Sequence, residues 1–207
     1  MPQPHEPLVF IISGPSGSGK STLVKKLLEL PGTVFSISAT TRPPRESERE
    51  GEWYHFVSQE EFQRMVDADE FLEYARVFGK HSYGTPRKWL EDARRRGLDL
   101  VLEIDVQGAA QVQHKIPGSI SILILPPSRA ELEQRIRARG EDSEEEIRRR
   151  LQRAKEELLR YMDYDYVLVN DDLERAGREV QAIASAARSR GARNERRISK
   201  ILESFGG

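Results

Sequence analysis

Three observations predict an α/β fold in which a parallel β-sheet is flanked by helices. Short apolar runs alternate with amphipathic helical stretches along most of the 207 residues, the pattern of right-handed strand–helix–strand crossovers. A glycine-rich motif, G-x-x-x-x-G-K-S, lies between a five-residue apolar run (8–12) and a stretch with apolar residues at 23, 24, 27 and 28, which is one face of a helix. Ser/Glu pairs spaced three apart, at 58/61, 128/131 and 143/146, mark helix starts as capping boxes.

The elements follow in order. Residues 8–12 read as a buried strand and residues from Lys20 onward as the first helix, broken at Pro31-Gly32. Residues 34–38 alternate as a strand. Thr40-Thr41-Arg42-Pro43-Pro44-Arg45 is extended or turned, since two prolines forbid a helix. The charged run 46–52 reads as exposed, and 53–57 as a strand rich in β-formers. Ser58 opens a helix to about residue 68. Residues 71–75 and 76–78 read as two short strands, and 79–86 as a loop whose Pro86 suits the first turn of the next helix. Residues 99–105 form a strand ending in acids, followed by a helix over 106–115. A central strand over 119–125 is closed by Pro126-Pro127. Helices follow from Ser128 to Arg139-Gly140 and from Ser143 to about residue 161, then a last strand (164–169) and a last helix (173–187).

The motif residues Gly14, Pro15, Ser16, Gly17, Ser18, Gly19, Lys20, Ser21 and Thr22 carry the clearest chemistry. Glycines let successive N–H groups turn inward around phosphate oxygens, and the following helix aims its positive end at the same anion. Lys20 is placed to reach the outer phosphates and Ser21 to hold Mg²⁺. Glu103 and Asp105 end a strand where such sheets bind ligands. There an acid holds Mg²⁺, directly or through water, or else caps a helix. Arg42 and Arg45 with Tyr54 and Tyr83 match phosphate oxygens in fork geometry, though arginines and tyrosines in this setting also serve as ordinary surface and packing residues. Residues 129–160 hold nine arginines, and Glu144–Arg148, Glu145–Arg149 and Glu146–Arg150 have the spacing of helix-supporting ion pairs. A mobile set of arginines closing over two phosphates is the functional alternative.

Bulk properties exclude other classes. Net charge is −1, which gives no global case for a nucleic-acid partner. No apolar run approaches the roughly 20 residues of a membrane span, and the first residues lack a secretory pattern, so a cytoplasmic location is expected. With no cysteines, disulfides, thiolate zinc sites and cysteine nucleophiles are excluded. Residues 188–207 form a basic tail with six Lys/Arg and two Glu, and Ile198, Ile201, Leu202 and Phe205 form a short apolar stripe, read as a peripheral helix, a frayed end or a partner contact.

The ordered motifs GPSGSGKST, SATTRPPR, GEWYHFVS, FLEYARVFGKHSYGT, LEIDVQGA, RARGEDSEEEIRRRL and YDYVLVNDDL together resemble those of guanylate kinases, from Leu8 to about Ala187. The resemblance implies a P-loop NTPase core (8–35 and 87–187), a small mixed α/β insertion that binds GMP (about 36–86) and a helical lid (about 135–157), all within one domain over 1–187. It implies Mg²⁺-dependent transfer of the ATP γ-phosphate to GMP and dGMP. It further implies that Arg42, Arg45, Tyr54 and Tyr83 hold the acceptor phosphate, and that Ser38, Glu73 and Asp105 read guanine with Thr85 in support. Arg139 and Arg150 would be the lid arginines, and Asn170 would lie near adenine. Many members have Asp-x-Asp where this chain has Glu103-Ile104-Asp105, so the contact of Glu103 with magnesium is direct or through water. The implied partners are ATP and GMP, with oligomeric state open.

Overall fold

The computed structural model describes residues 6–46, 48–77, 79–138, 140 and 143–205. Phe78 and Arg139, singled out above, lie outside the described residues. Two sheets organise the chain. The larger contains β2 (Thr33–Phe35), β7 (Asp99–Glu103), β1 (Val9–Ser13), β8 (Ile120–Leu125) and β9 (Tyr166–Val169), in that spatial order and all parallel. Among the described helices, α1 (Lys20–Leu28), α3 (Lys88–Arg96), α4 (Val106–Lys115) and α7 (Leu173–Arg188) cover it. Alternation along β1 divides the core: Phe10 and Ile12 pack with Leu23, Leu27 and Val180 of α1 and α7, while Val9 and Ile11 pack with Leu90, Ala109 and Val112 of α3 and α4. Sheets buried on both faces require such continuous apolar strands.

The smaller sheet is mixed and contains β4 (Tyr54–Phe56), β3 (Ser38–Thr40), β6 (His81–Pro86) and β5 (Phe71–Val77). Helix α2 (Gln59–Asp67) buries Phe62 against Phe71 and Ala39 there. Helices α5 (Arg129–Arg137) and α6 (Glu144–Leu158) form a separate pair around Leu132, Ile136, Ile147, Leu151 and Ala154. Ser58, Ser128 and Ser143 cap α2, α5 and α6, each accepting from the N–H three residues on, and at Ser143 the reciprocal bond completes the box.

Several expectations are corrected. Residues 79–86 are not a loop: 81–86 form β6, an interior strand. Its His-Ser-Tyr-Gly-Thr-Pro composition is loop-like, but pairing on both sides overrides it. Gly84 is needed there, because a Cβ would lie 2.8 Å from the Phe71 ring. Pro86 ends that strand rather than opening the helix, which starts at Lys88. Residues 71–77 form one strand, not two. Residues 34–38 do not form one strand, because the chain leaves the large sheet after Phe35 and enters the small one at Ser38. Helix α6 stops at Leu158, short of 161.

The tail forms α8 (Glu195–Ser204), with Ile198, Ile201, Leu202 and Phe205 exposed. Arg188 and Arg193 tie this end of the chain to Asp99, at the start of β7. That is the opposite end of β7 from Glu103.

Candidate active site

The glycine-rich loop leaves the carboxyl end of β1 and enters α1. Gly14 has φ +136°, and a Cβ there would lie 2.3 Å from the Ile124 carbonyl oxygen. Gly19 has φ +93°, and a Cβ would lie 2.1 Å from the Asn170 amide nitrogen. Neither position tolerates a side chain. Ser18 N–H donates to the Pro15 carbonyl at 3.1 Å, closing the turn. The first turn of α1 carries no acid, whereas those of α2, α5, α6 and α7 do. An anion at this helix end therefore meets no opposing carboxylate from the first turn. Lys20 Nζ donates to the carbonyls of Gly14 and Pro15 at 2.7 and 3.0 Å, so the ammonium is folded over the loop. Ser21, followed by Thr22 in α1, donates its hydroxyl to Glu103 at 2.8 Å, across from the end of β7. Two hard oxygen donors thus sit side by side, a set suited to Mg²⁺.

Asn170 follows β9 and is buried. Its amide donates to the Ser18 carbonyl at 2.8 Å, and its own carbonyl accepts from Arg135 at 3.1 Å. It braces the loop through Ser18. From α6, Arg150 reaches the Ser16 hydroxyl at 3.2 Å, bringing a candidate lid arginine onto the loop, and Gly17 faces Leu132 of α5. Arg139 lies outside the described residues. In α6, Glu144 pairs with Arg137 and feels the charge of Arg148, while Glu146 pairs with Lys80 and, within the helix, with Arg149.

The second cluster lies on the small sheet. Arg42 Nε donates to the Tyr83 hydroxyl at 3.1 Å, and its guanidinium stacks 5.6 Å over the Tyr54 ring. Tyr54 and Tyr83 meet edge to face at 5.8 Å. Burial, with the nearby Glu103 and Tyr83, raises the Tyr54 phenol above its ordinary pKa, so it stays a proton donor. The proximity of Glu103 links this cluster to the Ser21–Glu103 pair. Glu48 is the residue sequence reasoning passed over. Both its oxygens accept from Arg42 Nη2 at 2.8 Å, and one accepts from the Arg45 N–H at 2.9 Å. Its carboxylate also lies 3.8 Å from Arg45 Nη1. Burial opposes the Arg42 charge, but the bonds to Glu48 and Tyr83 outweigh it and raise the guanidinium's pKa. Burial likewise pushes Glu48 up, and the Arg45 N–H and Arg42 more than reverse it. Glu48 stands in a run of surface-like charge, so nothing local distinguishes it.

The third cluster is a buried polar chain. Thr85 donates to Glu73 at 2.6 Å, and Ser38 lies 3.5 Å from the Thr85 hydroxyl. All three are buried. Burial pushes the Glu73 carboxyl up to about 7, with Thr85 lowering it, Asp105 raising it and Lys115 lowering it. Asp105 N-caps α4: its Oδ1 accepts from the N–H groups of Gln107 and Gly108 at 3.0 and 2.9 Å. Gly108 is a second unforeseen participant. A Cβ on it would lie 2.3 Å from Glu73 Oε2, so the glycine makes room for that carboxylate.

A guanylate kinase family profile matches residues 6–187. The chain is 46% identical over 203 residues to the guanylate kinase of Symbiobacterium thermophilum, covering 98% of this chain and 96% of that protein. The chain belongs to the guanylate kinase family. The guanylate kinase of Escherichia coli K12 is 46% identical over 201 residues, covering 94% of this chain and 97% of its own length. The crystal structure of guanylate kinase from Anaplasma phagocytophilum superposes with a TM-score of 0.76 at 37% identity, covering 91% of this chain and 90% of that one. The activity of this guanylate kinase family member is phosphorylation of GMP by ATP. Among the described residues no helix is long and apolar enough to cross a membrane.

Proposed function

We propose that this chain takes Mg²⁺-ATP on the 14–22 loop and GMP, or dGMP, on the small sheet, forming ADP and GDP or dGDP in the cytoplasm. The observation that carries the base assignment is the buried Ser38–Thr85–Glu73 chain beside Asp105. An ionised carboxylate only accepts hydrogen bonds. Guanine presents N1–H and the 2-amino group side by side, whereas adenine presents a bare N1 lone pair. Adenine would leave Glu73 desolvated and unpaired, which rejects it strongly.

Phosphate recognition follows the same logic. Arg42, Arg45, Tyr54 and Tyr83 hold the acceptor phosphate, with Glu48 fixing the Arg42 fork. The phosphate's second pKa is about 6, so at neutral pH it is largely a dianion and already a nucleophile. No strong general base is needed. The work is alignment of two mutually repelling anions and neutralisation of the charge between them by Lys20, Arg42, Arg139 and Arg150. The main-chain N–H groups of Gly14, Ser16, Gly17, Gly19 and Thr22 cradle the donor, Pro15 and Ser18 close the turn, and Asn170 supports that loop near adenine. Ser21 would hold Mg²⁺, with Glu103 contributing directly or through a water. The ion, when bound, neutralises phosphate charge.

A panel of GMP, dGMP, AMP, UMP and CMP with Mg²⁺-ATP and a coupled ADP-release readout tests the reading. Turnover confined to GMP and dGMP is expected. Comparable turnover of AMP would overturn the role given to Glu73.

A further inference from the structure

Helix α6 carries two stripes. Ile147, Leu151 and Ala154 face α5 at i, i+4, i+7 spacing. One residue back on the first two turns and on the third, Glu146, Arg150 and Arg153 repeat the same spacing on the neighbouring face. Each polar member reaches a different part of the cleft: Glu146 meets Lys80 at the β5–β6 turn at 3.2 Å, Arg150 meets Ser16 at 3.2 Å, and Arg153 Nη2 meets Asp105 Oδ2 at 3.0 Å. The first two contacts join the helix to the acceptor sheet and the donor loop. The third lands on a carboxylate given a base-reading role.

We infer that Arg153 is a positioning residue for the acceptor base, acting through Asp105. The inference rests on the reading of Asp105 as a guanine contact. Oδ1 of Asp105 is committed to two N–H groups of α4, so the carboxylate cannot rotate, and Oδ2 is the oxygen turned to Arg153. An oxygen of this kind accepts more than one hydrogen bond, so Arg153 and a base N–H share it. Arg153 is itself oriented by Glu157, whose Oε1 accepts from Nε at 2.9 Å one turn along α6. Glu157 in turn lies within electrostatic reach of Lys20, and Asp105 within reach of Glu73. Charges therefore alternate from base-reading carboxylates to the phosphate-loop lysine: Asp105, Arg153, Glu157, Lys20. Two adjacent carboxylates repel, and a fixed guanidinium bonded to Asp105 offsets that repulsion where the base is read. Sequence pattern gave no sign of this, because Arg153 is one arginine among many in an exposed-looking helix.

The test is a double-mutant cycle of Arg153→Gln and Asp105→Asn, with Arg153→Lys as the conservative variant and thermal melts to verify folding. Arg153→Gln is expected to raise KM for GMP about tenfold, the size of one charged hydrogen bond. KM for ATP should stay within about twofold and kcat within about threefold. Arg153→Lys should recover most of the loss, and in the Asp105→Asn background the Arg153→Gln change should add less than about twofold. An unchanged KM for GMP in Arg153→Gln, an equal rise for ATP, or an undiminished effect in the Asp105→Asn background overturns the inference. If Asp105→Asn alone leaves KM for GMP unchanged, the Asp105 reading fails and takes the inference with it. If Asp105→Asn is severe while Arg153→Gln is silent, only the inference fails.

Discussion

In the proposed reading, the donor loop meets phosphate largely through main-chain N–H groups, with the Lys20 and Ser21 side chains, all from one unbroken stretch, residues 14–22. The proposed acceptor pocket instead uses side chains drawn from β3, the segment after it that holds Arg42 and Arg45, β4, β5, β6 and the cap of α4. The loop is packed too closely for side chains at two points: a Cβ on Gly14 or Gly19 would lie 2.3 or 2.1 Å from a neighbouring atom. The pocket is held by charge, with Glu48 on Arg42, Thr85 on Glu73 and Arg153 on Asp105. A main-chain cradle binds any triphosphate of suitable shape. A pocket of oriented side chains selects among monophosphates, and its dependence on buried charges makes it costly to maintain. Substitutions in the two regions should therefore fail in different ways.

The largest effect is expected at the donor end. Lys20→Ala should lower kcat about 10³-fold, as losing one preorganised charge at a transition state does. Its fold should persist, since Lys20 donates to the loop carbonyls of Gly14 and Pro15 and lies outside the apolar core. Steady-state kinetics with circular dichroism check this; normal turnover in a folded variant would remove Lys20 from the chemistry.

The acceptor end should show opposite signs for activity and stability. Glu73→Gln replaces an acceptor with a group that also donates, and should cut kcat/KM for GMP about 100-fold with KM for ATP little changed. Stability runs the other way. The folded carboxyl is raised from its ordinary 4.5 to about 7, so the folded state holds the proton more tightly than the unfolded chain. The stability Glu73 contributes is fully present below pH 4.5 and is lost as pH climbs to 7, a change of about 3 kcal/mol. The parent's melting temperature should therefore fall more between pH 5 and pH 8 than that of Glu73→Gln. Equal falls would show that the carboxyl is not raised.

The same contrast governs what could be read before the structure. The donor loop is local: motif, flanking strand and flanking helix lie within about twenty residues, so pattern sufficed. The acceptor pocket depends on pairs such as Arg42 with Tyr83 and Trp89 with Ile37, 41 and 52 positions apart, and was legible only through resemblance to known kinases. Strand β6 was misread because its residues have turn chemistry and only the pairing with β3 and β5 makes them a strand. Glu48 and Gly108 were missed for a related reason. A glutamate in a charged run and a glycine inside a helix acquire meaning only from the side chain each meets.

Gly108→Ala isolates that steric term. A helix interior favours alanine over glycine by up to about 1 kcal/mol, but here the new methyl would lie 2.3 Å from Glu73 Oε2 and 2.9 Å from its Cδ. The carboxylate has to move, so KM for GMP should rise about tenfold with the melting temperature close to the parent's and KM for ATP unaffected. A variant with more stability and full GMP affinity would show that Glu73 has room to shift without loss.

The smallest effect asks which protonation state meets the base. If the ionised carboxylate accepts from guanine, the proton held near neutral pH must leave when the base binds. With the folded pKa at about 7, affinity should be roughly fourfold weaker at pH 6.5 than at pH 8. Guanosine is the better probe than GMP, because it lacks a phosphate that titrates in the same range. Titration calorimetry at pH 6.5 in two buffers of different ionisation enthalpy should show net proton release for the parent and none for Glu73→Gln. Asp105 and Lys115, the charged neighbours acting on Glu73, pull its titration in opposite directions and leave burial as the main cause. Binding of guanosine without proton release at that pH would mean that the carboxyl stays protonated and donates; the discrimination against adenine would then need a different origin from an acceptor-only side chain.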